Sequence, residues 1–125
     1  MTADPRQPKP PRRLRKRAQF LNAARGIRAG RTAFSLQAIE IEAPDAGLGF
    51  TVTKKTGNSP ERNRIKRRLR AAARACGDQF YAQHDYVLVG RREALSLPFS
   101  KVVADLSSAI AKVHAKPRDA GIARP

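Results

Sequence analysis

The segment TVTKKTGNSPERNRIKRRLRAAARACG, from Thr51 to Gly77, constrains the fold most, because it joins a strand end, a turn and an arginine-crowded helix in one run. Asn58 and Ser59 can each accept a hydrogen bond from the free N–H groups of a first helical turn. Pro60 presets its own φ, and Glu61 stands three residues after Asn58. The helix is therefore predicted to start near Pro60 and to end at Gly77, where a glycine suits the left-handed closing residue. Stepping about 100° per residue places Ile65, Leu69, Ala72 and Cys76 in one narrow apolar stripe. Lys66, Arg70, Asn63, Arg74 and Arg67 fan out beside it, Arg62 sits at the border, and Arg64 and Arg68 point further round.

Seven Lys or Arg occupy the thirteen residues from Arg62 to Arg74, and Glu61 alone opposes them. Like charges one turn apart cost roughly 0.2–0.5 kcal/mol per pair, and a solvated basic face would normally carry acidic residues at i±4. A polyanion removes the repulsion, since each neutralised phosphate releases a counterion. The whole chain agrees with that reading: its net charge is +16 and its pI about 11.5. The basic residues fall in two blocks, 1–32 and 54–74, around a segment of net negative charge at 33–53. Nucleic acid is thus the expected partner, ahead of an anionic membrane.

A chain of 125 residues, 41% hydrophobic, has room for one domain with one modest core. Its single cysteine, Cys76, lies on the apolar stripe and reads as a core residue, without a partner for a disulfide or a thiolate metal site. No apolar run reaches bilayer length and the N-terminal residues lack the apolar segment of a signal peptide, so a cytoplasmic location is expected.

Residues 1–11, rich in proline, read as a disordered or extended basic tail. Residues 12–116 form the expected single domain. A helix is predicted from Arg12 to about Ala24, with Leu14, Ala18 and Leu21 recurring on one face. Phe20 lies off that stripe; spacing favours a core position over presentation to a base. Gly26 and Gly30 bracket a predicted turn. In the following strand Phe34, Leu36 and Ala38 alternate with Ser35 and Gln37, and then Ile39 and Ile41 take the opposite parity, as a bulge or a change of covered face would require. Ala43–Gly47 reads as a hairpin loop. The next strand, LGFTVTK, is predicted to bury Leu48, Phe50 and Val52 and to show Thr51 and Thr53 as a polar floor beside the basic helix. Tyr86–Gly90 reads as a strand buried on both faces, parallel to the one before the helix. Ser96 is predicted to cap a last helix whose apolar face is Phe99, Val102, Val103, Leu106, Ile110 and Val113, with Pro117 as its stop and 117–125 as a frayed tail.

The inventory for catalysis is thin. His84 and His114 stand on different elements, Asp78 and Asp85 read as solubilising residues rather than a metal pair, and KKTGNS lacks the Lys-Ser/Thr of a nucleotide-binding loop. Binding is supported and side-chain catalysis is not.

Over residues 49–74, GFTVTKKTGNSPERNRIKRRLRAAAR, the chain resembles the protein subunit of bacterial ribonuclease P: a strand ending in Lys-Lys, then Gly-Asn, then a helix opening Arg-Asn-Arg and continuing Lys-Arg-x-x-Arg. A weaker resemblance extends over 12–116. It implies an α+β fold, an α/β sandwich of a small mixed sheet and three helices with a left-handed strand-helix-strand crossover. It also implies that an RNA subunit performs the hydrolysis with Mg2+ ions held mainly by RNA, freeing the 5′ end of tRNA from its leader. By position, Arg62, Asn63, Arg64, Lys66, Arg67, Arg68 and Arg70 are then expected to bind the RNA subunit. Phe20, Gln37, Thr51, Thr53, Lys54, Lys55, Arg62 and Asn63 are expected to line a leader cleft between the central helix and the sheet. For Phe20 the resemblance thus reverses the preference from spacing. Ala24 and Gln37 stand where some members carry aromatics, which implies less stacking and more hydrogen bonding of leader bases. No catalytic side chain and no protein-held metal are expected, and the partners implied are the RNA subunit and precursor tRNA, without DNA or membrane. A ribosomal or other structural RNA-binding protein would share the basic composition, though not the ordered motif. A reader of duplex DNA fits less well, because the arginines spread over more than one helix face.

Overall fold

The structure, a computed structural model, describes residues 11–123, with side-chain surroundings from 11 to 115. All of the expected N-terminal tail except Pro11 lies outside the described residues. In chain order the elements are β1 (Arg12–Arg13), α1 (Arg17–Ala23), β2 (Ile27–Gly30), β3 (Phe34–Glu40), β4 (Gly47–Thr51), α2 (Ser59–Ala75), β5 (His84–Gly90) and α3 (Phe99–Ala123). The strands form one mixed sheet in the order β1-β4-β5-β3-β2, with β1, β4 and β5 parallel and β3 antiparallel to both β5 and β2.

Alternation along the strands sends Phe34, Leu36, Ala38, Leu48, Val52, Tyr86 and Leu88 to one face. There they meet Ile65, Leu69, Ala72, Ala73 and Cys76 of α2 and Val102, Leu106, Ala109, Ile110 and Val113 of α3. Burying a side chain such as Ile65 or Leu69 stabilises by about 1.5–3 kcal/mol. Gly90 allows the close approach of α2: a Cβ there would stand 2.6 Å from Ile65 Cγ2. The opposite face carries a smaller cluster of Leu14, Ala23 and Val87, with Phe20, Ile39 and Val89 packed against it.

This second cluster explains the change of parity in β3. Its register with β5 is continuous from Phe34↔Gly90 to Glu40↔His84, so there is no bulge; Ile39 packs under α1 while Leu36 packs under the other two helices.

The predicted helix from Arg12 is shorter than its pattern suggests. Arg12 N–H donates to the Ala46 carbonyl and Leu14 N–H to the Leu48 carbonyl, so this stretch is extended along β4. Leu14 is buried from there, while Leu21, expected on its stripe, is 54% exposed. Gly26–Gly30 is mostly strand rather than turn, because β2 supplies the outer neighbour of β3. Nor does Ala43–Gly47 close a hairpin: β5, with Asp85–Leu88 buried, inserts between β3 and β4.

Gly77 has no positive φ; a 3₁₀ turn over Gly77–Gln79 follows α2 directly, and the single left-handed residue among those described is Gln83, φ 63°. Ser96 does not cap α3. Its N–H and Oγ both bond to the Glu93 carbonyl, and Lys101 and Val102 N–H turn to Pro98 instead. Pro98 disfavours helical geometry at Leu97, which moves the start downstream. Phe99 is 42% exposed and leaves the apolar face. Helix α3 continues past Pro117 to Ala123: a proline removes one N–H donor without forbidding helical φ at its own position.

Candidate nucleic-acid interface

Helix α2 is anchored at its start by a reciprocal cap. Glu61 N–H donates to Asn58 Oδ1 and Asn58 N–H donates to Glu61 Oε1, both at 2.9 Å. Arg92 adds an ion pair to Glu61 at 2.8 Å. The Arg92 hydrogen bond and then the bond from the Asn58 backbone pull the Glu61 carboxyl down to about 2. These contacts and the buried stripe settle which cations are free. Arg62 donates to the Gly57 carbonyl at 2.6 Å and to Ser59 Oγ at 3.1 Å, which ties it to the turn. Arg68 donates to the Ala94 carbonyl at 2.6 Å, so one arm of its guanidinium joins α2 to the segment after β5. Asn63, Arg64, Arg67 and Arg74 are exposed. Lys66 and Arg70 are half-buried, and the Arg70 guanidinium carbon stands 5.2 Å from the centroid of the Phe50 ring.

The residues expected to hold a leader are distributed otherwise than by one groove under α2, since the apolar stripe of that helix packs directly on the sheet. Phe20, Gln37 and Thr51 share the opposite face. There Thr51 and Ser35 both stand in register with Val89, and Gly49 and Gln37 with Val87. Gln37 is 9% exposed, and Ser35 Oγ is buried without a hydrogen-bond partner. Thr53, Lys54 and Lys55 are exposed beyond the strand, where Thr53 Oγ1 lies 3.2 Å from Thr56 Oγ1 across a 3₁₀ turn. Phe20 is half-buried, with one side of its ring against β4, where a Cβ on Gly49 would meet it at 2.8 Å.

A cavity of about 890 Å³ lies at the outer edge of β4. Leu14, Phe20, Leu48, Gly49 and Phe50 form its apolar walls, Arg13, Arg15, Lys66, Arg70 and Arg74 bring charge, and Asp78 is its one acidic residue. Phe50, predicted to be buried, is half-buried and packs against the core while also lining this cavity, for which the sequence carried no signal. The cavity exists because β1 is two residues long and pairs with β4 only along Gly47 and Leu48.

Arg12, part of the basic N-terminal block, is committed to the fold, since it bonds Asp45 and, at 3.1 Å, the buried Asp85. The hydrogen bond to Asp45 raises its pKa first, burial opposes this, and Asp85 adds to it. Asp85 faces a guanidinium, so it does not pair with Asp78. Among the described residues no group of three or more His, Cys, Asp or Glu is arranged to hold a metal ion.

His84 and His114, separate in the sequence, meet at 4.7 Å between ring centroids. His114 stacks on Tyr81 at 3.6 Å, and its Nε2 accepts the Tyr86 hydroxyl at 2.6 Å while that oxygen accepts the Tyr81 N–H. Burial and then nearby His84 lower His114 to about 4, and burial pushes the Tyr86 hydroxyl up. A neutral ring with a free lone pair is what the Tyr86 hydrogen bond needs. The cluster joins α3 to β5.

A model of the Ribonuclease P family matches residues 9–114. The ribonuclease P protein component of Ruegeria pomeroyi is 46% identical over 107 residues, covering 82% of this chain and 86% of the relative. That of Bartonella quintana is 44% identical over 110 residues, covering 82% and 83%. Among solved structures, the Staphylococcus aureus RNase P protein superposes with a TM-score of 0.68 at 28% identity, covering 81% of this chain and 95% of that one. The Thermotoga maritima protein gives 0.67 at 26% identity, covering 77% and 92%. With the Lys-Lys, Gly-Asn and Arg-Asn-Arg order carried on a capped, sheet-anchored helix, and with three helices on a five-stranded mixed sheet, the chain belongs to the bacterial ribonuclease P protein family.

Proposed function

We propose that this chain binds the catalytic RNA subunit of ribonuclease P and the 5′ leader of precursor tRNA, and so aids the metal-dependent endonucleolytic cut that gives the mature tRNA 5′ end. The observation that carries the reading is the division of α2: Ile65, Leu69, Ala72 and Cys76 are buried against the sheet, while Asn63, Arg64, Arg67 and Arg74 remain at the surface. In this reading Arg64, Lys66, Arg67 and Arg70 meet phosphates of the RNA subunit, Arg62 does so from a fixed position, and Arg68 contributes with the arm not bound to Ala94. Phe20, Gln37, Thr51, Thr53, Lys54, Lys55, Arg62 and Asn63 contact the leader. Mg2+ is held mainly by RNA in this reading, as the family resemblance implies. Hydrolysis then belongs to the RNA, and the protein supplies affinity and charge neutralisation. The holoenzyme works in the cytoplasm; among the described residues no helix is long and apolar enough to cross a membrane.

Reconstitution tests the reading. Added to a bacterial ribonuclease P RNA at low magnesium, the protein should raise the cleavage rate of precursor tRNA, and more so for substrates with a leader. Absence of stimulation would overturn the assignment.

A further inference from the structure

The cavity at the β4 edge lies outside the leader cleft implied by the resemblance, of whose residues only Phe20 lines it, and its chemistry is more specific than a phosphate-binding face requires. We propose that it is a pocket for an unstacked RNA nucleotide, with the Arg70–Phe50 pair, on the α2 side of β4, as its stacking platform. The inference rests on the RNA-binding reading above and adds a site to it.

Three observations support it. Its volume, about 890 Å³, stands at the upper end of the roughly 300–1,000 Å³ usual for small-ligand pockets, so it can admit a base together with its sugar. Its walls combine aromatic surface with cations. Phe20 rests one side of its ring on Gly49, and the Arg70 guanidinium is held 5.2 Å from the Phe50 centroid. A planar guanidinium laid on an aromatic ring is itself a surface on which a base stacks, while Lys66 and Arg74 stand ready for the adjoining phosphates. Finally, the strand edge is open. β1 leaves β4 after the Leu14 N–H bond to the Leu48 carbonyl, 3.0 Å long, and past that point β4 has only β5 as a strand neighbour among the described residues. By the two-residue repeat of a strand, the N–H and C=O of Phe50 face the same open side as the Leu48 carbonyl. A base edge needs such a donor and acceptor pair, whereas a phosphate uses only donors.

The nucleotide has two possible sources, the RNA subunit and the leader, and the experiment separates them. Arg70→Lys keeps the charge and loses the plane; Phe50→Leu keeps the apolar packing and loses the ring. For each variant we would measure binding to the RNA subunit alone, and binding of the assembled holoenzyme to precursor tRNA with a long leader and with none. Thermal unfolding of each variant confirms its fold. Both substitutions should weaken one of these affinities by about fivefold or more, the low end for loss of one base–aromatic stack. The slope of log affinity against log salt should stay unchanged, because the same number of phosphates is neutralised. A loss confined to the RNA subunit assigns the nucleotide to it, and a loss seen only with the long leader assigns it to the substrate. If folded Arg70→Lys and Phe50→Leu proteins keep all three affinities, Arg70 acts as a point charge and the pocket proposal is wrong. Stimulation of cleavage by the unaltered protein would in that case still uphold the RNA-binding function.

Discussion

At the scale of single residues, Arg62 and Arg64 show how two members of one motif differ. They are two positions apart on α2, yet Arg62 is bonded to Gly57 and Ser59 while Arg64 is exposed. Each, changed to alanine, is expected to lower affinity for the RNA subunit and to reduce the log-log salt slope by roughly 0.7–0.9 for each phosphate left without its cation. Arg62→Ala should also lower the unfolding temperature, since it frees the Gly57 carbonyl, whereas Arg64→Ala should not. Salt titrations of binding beside thermal melts would check the contrast; unchanged slopes would show that neither side chain meets a phosphate. The identity of these residues was legible in the sequence, because Arg-Asn-Arg after a cap is a local pattern. Their division of labour was not, because it depends on where the turn carries the Gly57 carbonyl. Phe20 shows the same limit: its ring packs against Gly49 and also lines a cavity, an intermediate burial that spacing along the helix does not specify.

At the scale of elements, α2 was the most legible part of the fold. Its cap, apolar stripe and length are all local consequences of Asn58, Pro60, Glu61 and the spacing of Ile65, Leu69, Ala72 and Cys76. Asn58→Ala should cost about 1 kcal/mol, read as a lower urea midpoint, because Glu61 N–H loses its acceptor. The Glu61 side of the cap depends on pH. Its carboxyl is depressed from 4.5 to about 2, so its contribution is present above 4.5 and is lost as pH falls through about 2. Weaker local signals gave the misplacements. The first helix shrank because Arg12–Arg13 found a strand partner in Gly47–Leu48 and Arg12 found Asp45 and Asp85, none of them near in sequence. The last helix moved its start because Pro98 acts on the residue before it and Ser96 was already engaged with Glu93.

At the scale of the whole molecule, the cluster of Tyr81, His84, Tyr86 and His114 ties the described part of α3 to β5. The His114 imidazole is lowered from 6.5 to about 4, so the stability that its neutral form contributes is fully present above 6.5 and is lost as pH falls through about 4. Melting temperature measured from pH 7 to pH 4 should therefore fall more steeply for the natural protein than for His114→Gln, which carries no titrating ring. Parallel curves would show that His114 is not the group responsible. The groups facing it are His84, Tyr81 and Tyr86.

The chain by itself determined the basic helix with its buried stripe and the parallel strand-helix-strand unit, since periodicity and capping are properties of neighbouring residues, while its net charge set the expectation of a polyanionic partner and its motif order implied the α+β class. Only the tertiary structure decided that β5 separates β3 from β4, that β1 ends after two residues, and that Phe20, Phe50 and Arg70 gather around the edge left open. Such facts depend on which strand occupies the centre of the sheet. The apolar run of Tyr86, Val87 and Leu88 marks a strand buried on two faces, but which strands flank it is decided by packing against residues far away in the chain.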